Sequence, residues 1–269
     1  MSDKPNSSTV DVSLNSERIV RVMFVSMVLF EVFLVLLDAF LNYGKLIEIG
    51  AIRRLSNIAR EDGLGTWFAS TQTFLAGLTA MAVWYLSKKL DRERLYVIGW
   101  LVIACFFIFM AADDGAQIHE RMGTTFKAIA KGSDGLAGSI LGLSPSYTWQ
   151  LLFVPIFGSI GLFMAYILWK ELGSSRTRML VIAALACMGT AVILDFFEGL
   201  DKKHAWNIYA WLAENYELRN YTVWHFAKVI EEFLEMLSIT TFWLIFSRQL
   251  FFLMKPVEVR LKVSGQDKE

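Results

Sequence analysis

The chain has 269 residues, 55% of them hydrophobic and 14% aromatic, and its 26 Lys and Arg balance 26 Asp and Glu to a formal net charge of zero. That balance excludes the basic footprint of a nucleic-acid-binding protein. The apolar content, with a mean hydropathy of +0.45, exceeds what a soluble domain carries, and several runs approach the ~20 residues that span a bilayer.

Residues 1–18 are polar and Ser-rich and read as a disordered tail. The apolar run that follows is too long for a signal-peptide core and lacks a small-residue cleavage site, so it reads as an uncleaved first span. About six spans are expected, near 20–42, 67–87, 95–113, 148–169, 179–197 and 228–248. Each should be a helix, because only a helix satisfies its own backbone polar groups inside lipid. The expected fold is therefore all-α: a polytopic bundle of about six transmembrane helices over 19–254, with interfacial helices on the outer side and a cytoplasmic tail over 255–269. Trp67, Trp149 and Trp224 mark one membrane face, and Trp84, Trp100, Trp169 and Trp243 the other. Cys105 and Cys187 fall within spans and read as buried small apolar residues rather than a disulfide or metal pair.

Short links carry dense positive charge: Lys88, Lys89, Arg92 and Arg94 in one, Lys170, Arg176 and Arg178 in another. Arg18 and Arg21 precede the first span, and Arg248, Lys255, Arg260 and Lys262 follow the start of the last cytoplasmic end. The opposite links are longer and more dilute, so both termini are expected in the cytoplasm. On the outer side, Lys45–Gly63 carries Ile47, Ile49, Ile52, Leu55 and Ile58 among charges, the pattern of an interfacial amphipathic helix. Ile118, Met122, Phe126 and Ile129 continue the helical period of the third span, which should extend to Gly132. The aromatic stretch His204–Trp224 should lie on the outer surface, and the Gly/Ser-rich run 132–146 should be a loop.

Acidic residues converge in depth. Counted from the basic end of each span at ~1.5 Å per residue, Asp38 lies ~25 Å up the first helix, Asp113 ~28 Å up the third, Asp195 and Glu198 ~25–30 Å up the fifth, and Glu235 and Glu231 ~20–25 Å up the sixth. Asp113, Gln117 and Glu120 would share a helical stripe, as would Glu231, Glu235 and Ser238, with His225 and Glu232 on a neighbouring one. Facing lipid, such charges are costly, so they should face inward. Few bases share the layer, Lys228 foremost, so the acids must hold protons, water or a cation. Carboxylates with one or two imidazoles suit Fe, Mn or Zn, whereas pure oxygen shells suit Ca or Mg. The candidate ligands are Asp113, His119, Glu120, Glu198, Glu231 and Glu235, with Glu232 and His225 as acid/base or supporting groups. Taken singly, Asp113, Asp114, His119, Glu120 and Glu198 read equally well as juxtamembrane groups in water, and Glu31 and Asp38 as bonds between helices. No ligand pair such as HExxH, CxxC or HxxxH is present.

Three stretches, GLGTWFASTQTFLAGL at Gly63–Leu78, AADDGAQIHERMG at Ala111–Gly123 and VIEEFLEML at Val229–Leu237, resemble a group of uncharacterised bacterial multi-pass proteins. That group has an Asp-Glu…His-Glu motif, matched by Asp113, Asp114, His119 and Glu120 with Asp114 in place of the usual Glu. Its Glu-Glu…Leu-Glu-Met motif is matched by Glu231, Glu232, Leu234, Glu235 and Met236. The resemblance implies a bacterial inner membrane and supports these residues as a set, without supplying a reaction. Three functions fit: a metal-dependent intramembrane enzyme acting on a lipid-borne substrate, a cation or proton-coupled transporter, and a non-catalytic sensor or assembly subunit. The absence of an internal repeat and the apolar inner halves of the spans point to a one-sided site, and so to the enzyme.

Overall fold

A computed structural model describes residues 15–130 and 145–254. Among them, nine α-helices and one π-helical turn account for the regular structure, and there is no strand. Helix α1 (Ser16–Leu37) starts where the Asn15 side chain accepts the Arg18 N–H at 3.1 Å, satisfying one exposed donor of the helix start, and Glu17 in its first turn complements the positive end of the helix dipole. It runs into a π-helical turn, Asp38–Tyr43. Then follow α2 (Gly50–Ser56), α3 (Leu64–Lys89), α4 (Arg94–Ala116), α5 (Ile118–Ala130), α6 (Thr148–Glu171), α7 (Ser175–Glu198), α8 (Ile208–Asn215) and α9 (Asn220–Met254).

Six helices coincide with the six expected spans to within a few residues at most ends. Four of these segments, Ser16–Tyr43, α4, α6 and α7, are long and apolar enough to cross a membrane. The other two, α3 and α9, are more polar because they form the centre of the bundle. Helix α9 packs against α7, α3 and α1, and α3 also packs closely on α4. A helix shielded by other helices can carry polar groups that partner across the interface, and α3 and α9 bury Gln72, Thr73, Ser238, Thr240 and Thr241 there. The apolar helices instead leave residues such as Leu29 and Leu162 exposed, at 64% and 76%.

The bundle is unequal end to end. The half nearer the basic links is filled by Val83, Trp100, Phe107, Ile167, Ile245 and Phe246. Trp100 and Phe107 meet Phe246 edge-on at 5.4 and 5.1 Å, the arrangement ring quadrupoles favour. Glu171 closes this end. Its carboxylate accepts hydrogen bonds from the Trp100 indole, from Arg92 at 3.3 Å and from Gln249 at 3.0 Å, tying α4, α6 and α9 together.

Several sequence expectations need correction. The third span does not continue smoothly to Gly132: Gln117 adopts φ 54°, a left-handed conformation that ends α4, and α5 starts as a separate helix at Ile118. The shared stripe of Asp113, Gln117 and Glu120 therefore does not form. Within Lys45–Gly63 only seven residues, Gly50–Ser56, are helical. The stretch His204–Trp224 divides between α8 and the first turn of α9. Cys105 is exposed rather than buried, and both cysteines are free. The two tails beyond 15 and 254 and nearly all of the 132–146 loop lie outside the described residues.

Candidate functional site

Lys228 stands where the acidic helices meet. It lies one turn before Glu231 and Glu232 on α9, and α7 presents Asp195 and Glu198 at i, i+3 spacing toward it. The ammonium Nζ donates to Glu231 Oε1 at 2.6 Å and lies 3.5 Å from Glu232, 3.9 Å from Glu198 and 4.0 Å from Asp195. From α6, Gln150 Nε2 donates to Asp195 Oδ2 at 2.6 Å. Asp195, Glu198 and Glu231 each offer an oxygen within 4.8 Å of the others, close enough to surround one metal ion. Two oxygens beside this triad, Glu231 Oε2 and Gln150 Oε1, are buried without a hydrogen-bond partner. Buried acceptors normally find donors, so this chamber has more acceptor capacity than its lysine fills.

Further acids surround this centre. Glu235 and Asp114 lie within electrostatic range of Glu232, and Ser70 Oγ donates to Asp114 at 3.0 Å. Glu61, in the turn before α3, faces Glu120 on α5. Partial burial, then the Glu120 carboxylate, push Glu61 up to about 7, against the pull of Lys228. Tyr147 sits at the lip; burial and the charges of Glu198 and Asp195 push its phenol up to about 12, so it stays a hydrogen-bond donor. Four carboxylates around one ammonium leave three charges uncompensated if all ionise. Such a site holds protons or a second cation.

The break at Gln117 builds the imidazole side of the chamber. Because α4 stops there, Asp113 reaches forward to the start of α5. Its Oδ1 accepts the His119 backbone N–H at 2.8 Å and its Oδ2 meets the ring Nδ1 at 2.7 Å. Trp149 covers the ring at 4.5 Å. Burial disfavours a charged His119, but the bond to Asp113 and the charges of Asp113, Glu120 and Asp195 outweigh it, and the ring holds its proton more tightly than usual.

The second candidate imidazole, His225, stands apart. His225 Nε2 meets Asp38 Oδ2 at 2.7 Å, and Asn42 Nδ2 donates to Asp38 Oδ1 at 2.8 Å. Tyr43 and Tyr221 stack on its ring at 5.4 and 5.6 Å. This assembly depends on the π-helical turn, which presents Asp38, Asn42 and Tyr43 to α9.

Of the residues singled out by sequence, the structure brings Glu198 and Glu231 into the triad, places Glu232 on Lys228, sets Glu235 beside Glu232, and puts His119 and Glu120 within electrostatic range of Asp195. Asp113 serves His119, and His225 serves Asp38. Sequence reasoning left out Gln150 and Glu61 and did not rank Asp195 among the ligands. Gln150 carried a readable signal, a polar residue one turn inside an apolar run facing the depth of Asp195. Glu61 carried none, since only the folding of its turn against α5 brings it in.

Residues 24–250 match the model of a family described as a domain of unknown function, DUF8692. No curated protein and no solved structure matches the chain. The matched region takes in the triad, Lys228, His119 and His225, and the chain therefore belongs to the DUF8692 family.

Proposed function

We propose that this is a multi-pass protein of a bacterial inner membrane, crossing it with α1, α3, α4, α6, α7 and α9. Its basic ends and termini face the cytoplasm, and its outward acidic chamber binds Fe, Mn or Zn for an enzymatic reaction on a lipid-borne substrate. The observation that carries this reading is the Asp195, Glu198 and Glu231 triad with unpartnered Glu231 Oε2 and Gln150 Oε1 beside it. An oxygen-rich site with one imidazole at its rim suits these metals, which would polarise a carbonyl or activate a water. Lys228 holds the four carboxylates together, and a metal on Asp195, Glu198 and Glu231 would have to displace its ammonium. Asp113 orients His119 with its Nε2 free for a ligand or a proton transfer.

Elemental analysis of protein purified in mild detergent tests this. Wild type should carry one of these metals, Glu198→Gln should carry less, and Lys228→Met should hold it more tightly. Metal-free protein whose unfolding temperature does not move when each metal is added would overturn the metal reading.

A second reading, a cation or proton-coupled transporter, is favoured by one observation. Deeper in the bundle, Glu31 Oε1 accepts from Gln72 at 3.0 Å and Thr240 at 2.5 Å, while Glu31 Oε2 and Gln72 Oε1 have no partner. A protonatable group at that depth could relay charge. Against it stands the apolar core around Trp100 and Phe246, where the polar groups between Thr240 and Glu171 include Thr79, bonded to the Trp243 indole at 2.9 Å, Ser87 and Ser247, none of them a carboxylate. Proton uptake by sealed vesicles containing the protein would decide for the transporter.

A further inference from the structure

A second polar node lies in the depth of the bundle, away from the chamber. Glu31 stands ~15 Å of helix above Arg21 on α1. Its exposure of 0%, and the 1% of Gln72 on α3, place both side chains in the interior. Toward the acidic end the node is closed by Leu34, Phe68, Val229 and Met236, and toward the basic end by Ala76, Ala80 and Phe242.

The donors of this node are all in use. The Gln72 amide has two hydrogens on Nε2. It donates to Glu31 Oε1 at 3.0 Å and to the Met236 carbonyl at 3.0 Å, with Thr240 Oγ1 against the same nitrogen. The Thr240 hydroxyl donates in turn to Glu31 Oε1. These acceptors fix the amide's orientation, since a flipped Gln72 would turn its oxygen against them. Two acceptors are left over, Glu31 Oε2 and Gln72 Oε1, both buried without a partner.

Those two atoms complement one missing hydrogen. A carboxylic acid and a primary amide pair through a ring of two hydrogen bonds, amide N–H to acid carbonyl and acid O–H to amide oxygen. The first bond is in place at 3.0 Å, and the second runs between the two open oxygens once one of them carries a proton. One proton on Glu31 Oε2 therefore serves both. A water could donate to both but would leave the carboxylate charge bare. The groups that touch Glu31 are Gln72 from α3 and Thr240 from α9, and among the described residues no lysine, arginine or histidine pairs with it. An enclosed carboxylate without a cation is costly and neutralises instead. A metal ion would need a fuller oxygen shell than the two atoms left open.

We propose that Glu31 is a proton-binding site in the depth of the bundle, holding a resident proton at neutral pH that closes an acid–amide pair with Gln72 and locks α1 to α3. The inference does not rest on the reading of the chamber as a metal or enzyme site.

Infrared difference spectra of the full chain in detergent test this. Wild type minus Glu31→Gln at neutral pH should show a protonated-carboxyl C=O band and no carboxylate band. Gln72→Met should move that band to higher wavenumber, because the acid loses its partner, without abolishing it. In D2O the band should shift more slowly than the remaining acid C=O absorption, since apolar side chains close the node at both ends. A carboxylate band in the difference spectrum, or an acid band indifferent to Gln72→Met, overturns the proposal. Exchange as fast as that of the other acids makes Glu31 a relay and overturns the residence of its proton. Glutamine at 31 can form the same ring as an amide, so a Glu31→Gln variant that fails to fold also overturns the pair. Should Gln72→Met not fold, the Glu31→Gln spectrum decides alone.

Discussion

Asp113 holds His119 twice, by the backbone N–H at 2.8 Å and by the ring Nδ1 at 2.7 Å. One carboxylate therefore caps α5 and fixes the imidazole. His119 keeps its proton to higher pH than the ordinary value of 6.5, in spite of burial, because the bond and charge of Asp113 favour the imidazolium. A raised folded value means that the stabilisation is complete below the unfolded value and is lost as pH rises through the folded one. Thermal unfolding in detergent should show wild type losing stability from about pH 6.5 upward. Asp113→Asn should cost about 1.5–3 kcal/mol at low pH and flatten that slope. A variant with the wild-type slope would place the titrating group elsewhere.

Gln117 pays for the turn that makes this contact possible. At φ 54° a residue with a Cβ is strained by about 1 kcal/mol. Gln117→Gly should stabilise the protein by up to that amount and leave metal content unchanged. Gln117→Val, β-branched and intolerant of this conformation, should destabilise it and release His119 from Asp113, seen as a shift of the imidazole NMR signals.

Removing the central ammonium exposes the carboxylates to one another. Lys228→Met should cost about 3–5 kcal/mol at alkaline pH, the range for breaking one partner from a buried ion pair. The loss should shrink at acidic pH, where the carboxyls take up protons, and on adding Mn. A variant as stable as wild type across the pH range would mean that the acids do not depend on Lys228.

Glu31 makes a contrasting case. Its free Oε2 and the free Gln72 Oε1 are both acceptors in a node with exposures of 0% and 1%. Glu31→Gln introduces an amide donor that can serve Gln72 Oε1, so the variant should be as stable as wild type or more so. A large loss in unfolding temperature would show that Glu31 needs its charge.

The long helices were legible because long apolar runs leave a chain few alternatives to a helix, and four of them, Ser16–Tyr43, α4, α6 and α7, are apolar enough to cross a membrane. Even α3 and α9, which carry Gln72, Thr240 and Ser238 in buried positions, kept enough apolar residues to stand out. The depth of the acids followed from counting residues along helices. Their partners did not. The left-handed Gln117 is invisible in a stretch without Gly or Pro at that position, and the helical period ran straight through it. His225 shares α9 with Glu232 and so read as its neighbour, while its actual partner, Asp38, lies 187 positions away and is presented by a π-helical turn with no sequence signature. Charge pairing across helices depends on rotation about each axis, which residue counting does not fix.

The apolar half-bundle around Trp100 and Phe246 has an electrical consequence. A charge moved across the whole membrane field changes energy by about 2.3 kcal/mol per 100 mV. On the proposed reading, a cation entering from the acidic end would stop before the largely apolar core and would traverse only the outer part of that field. Its occupancy should follow concentration and pH, and respond weakly to membrane voltage. In proteoliposomes the midpoint for Mn binding should shift little when a potential is imposed with valinomycin and a potassium gradient, so the chamber would work equally in energised and depolarised cells.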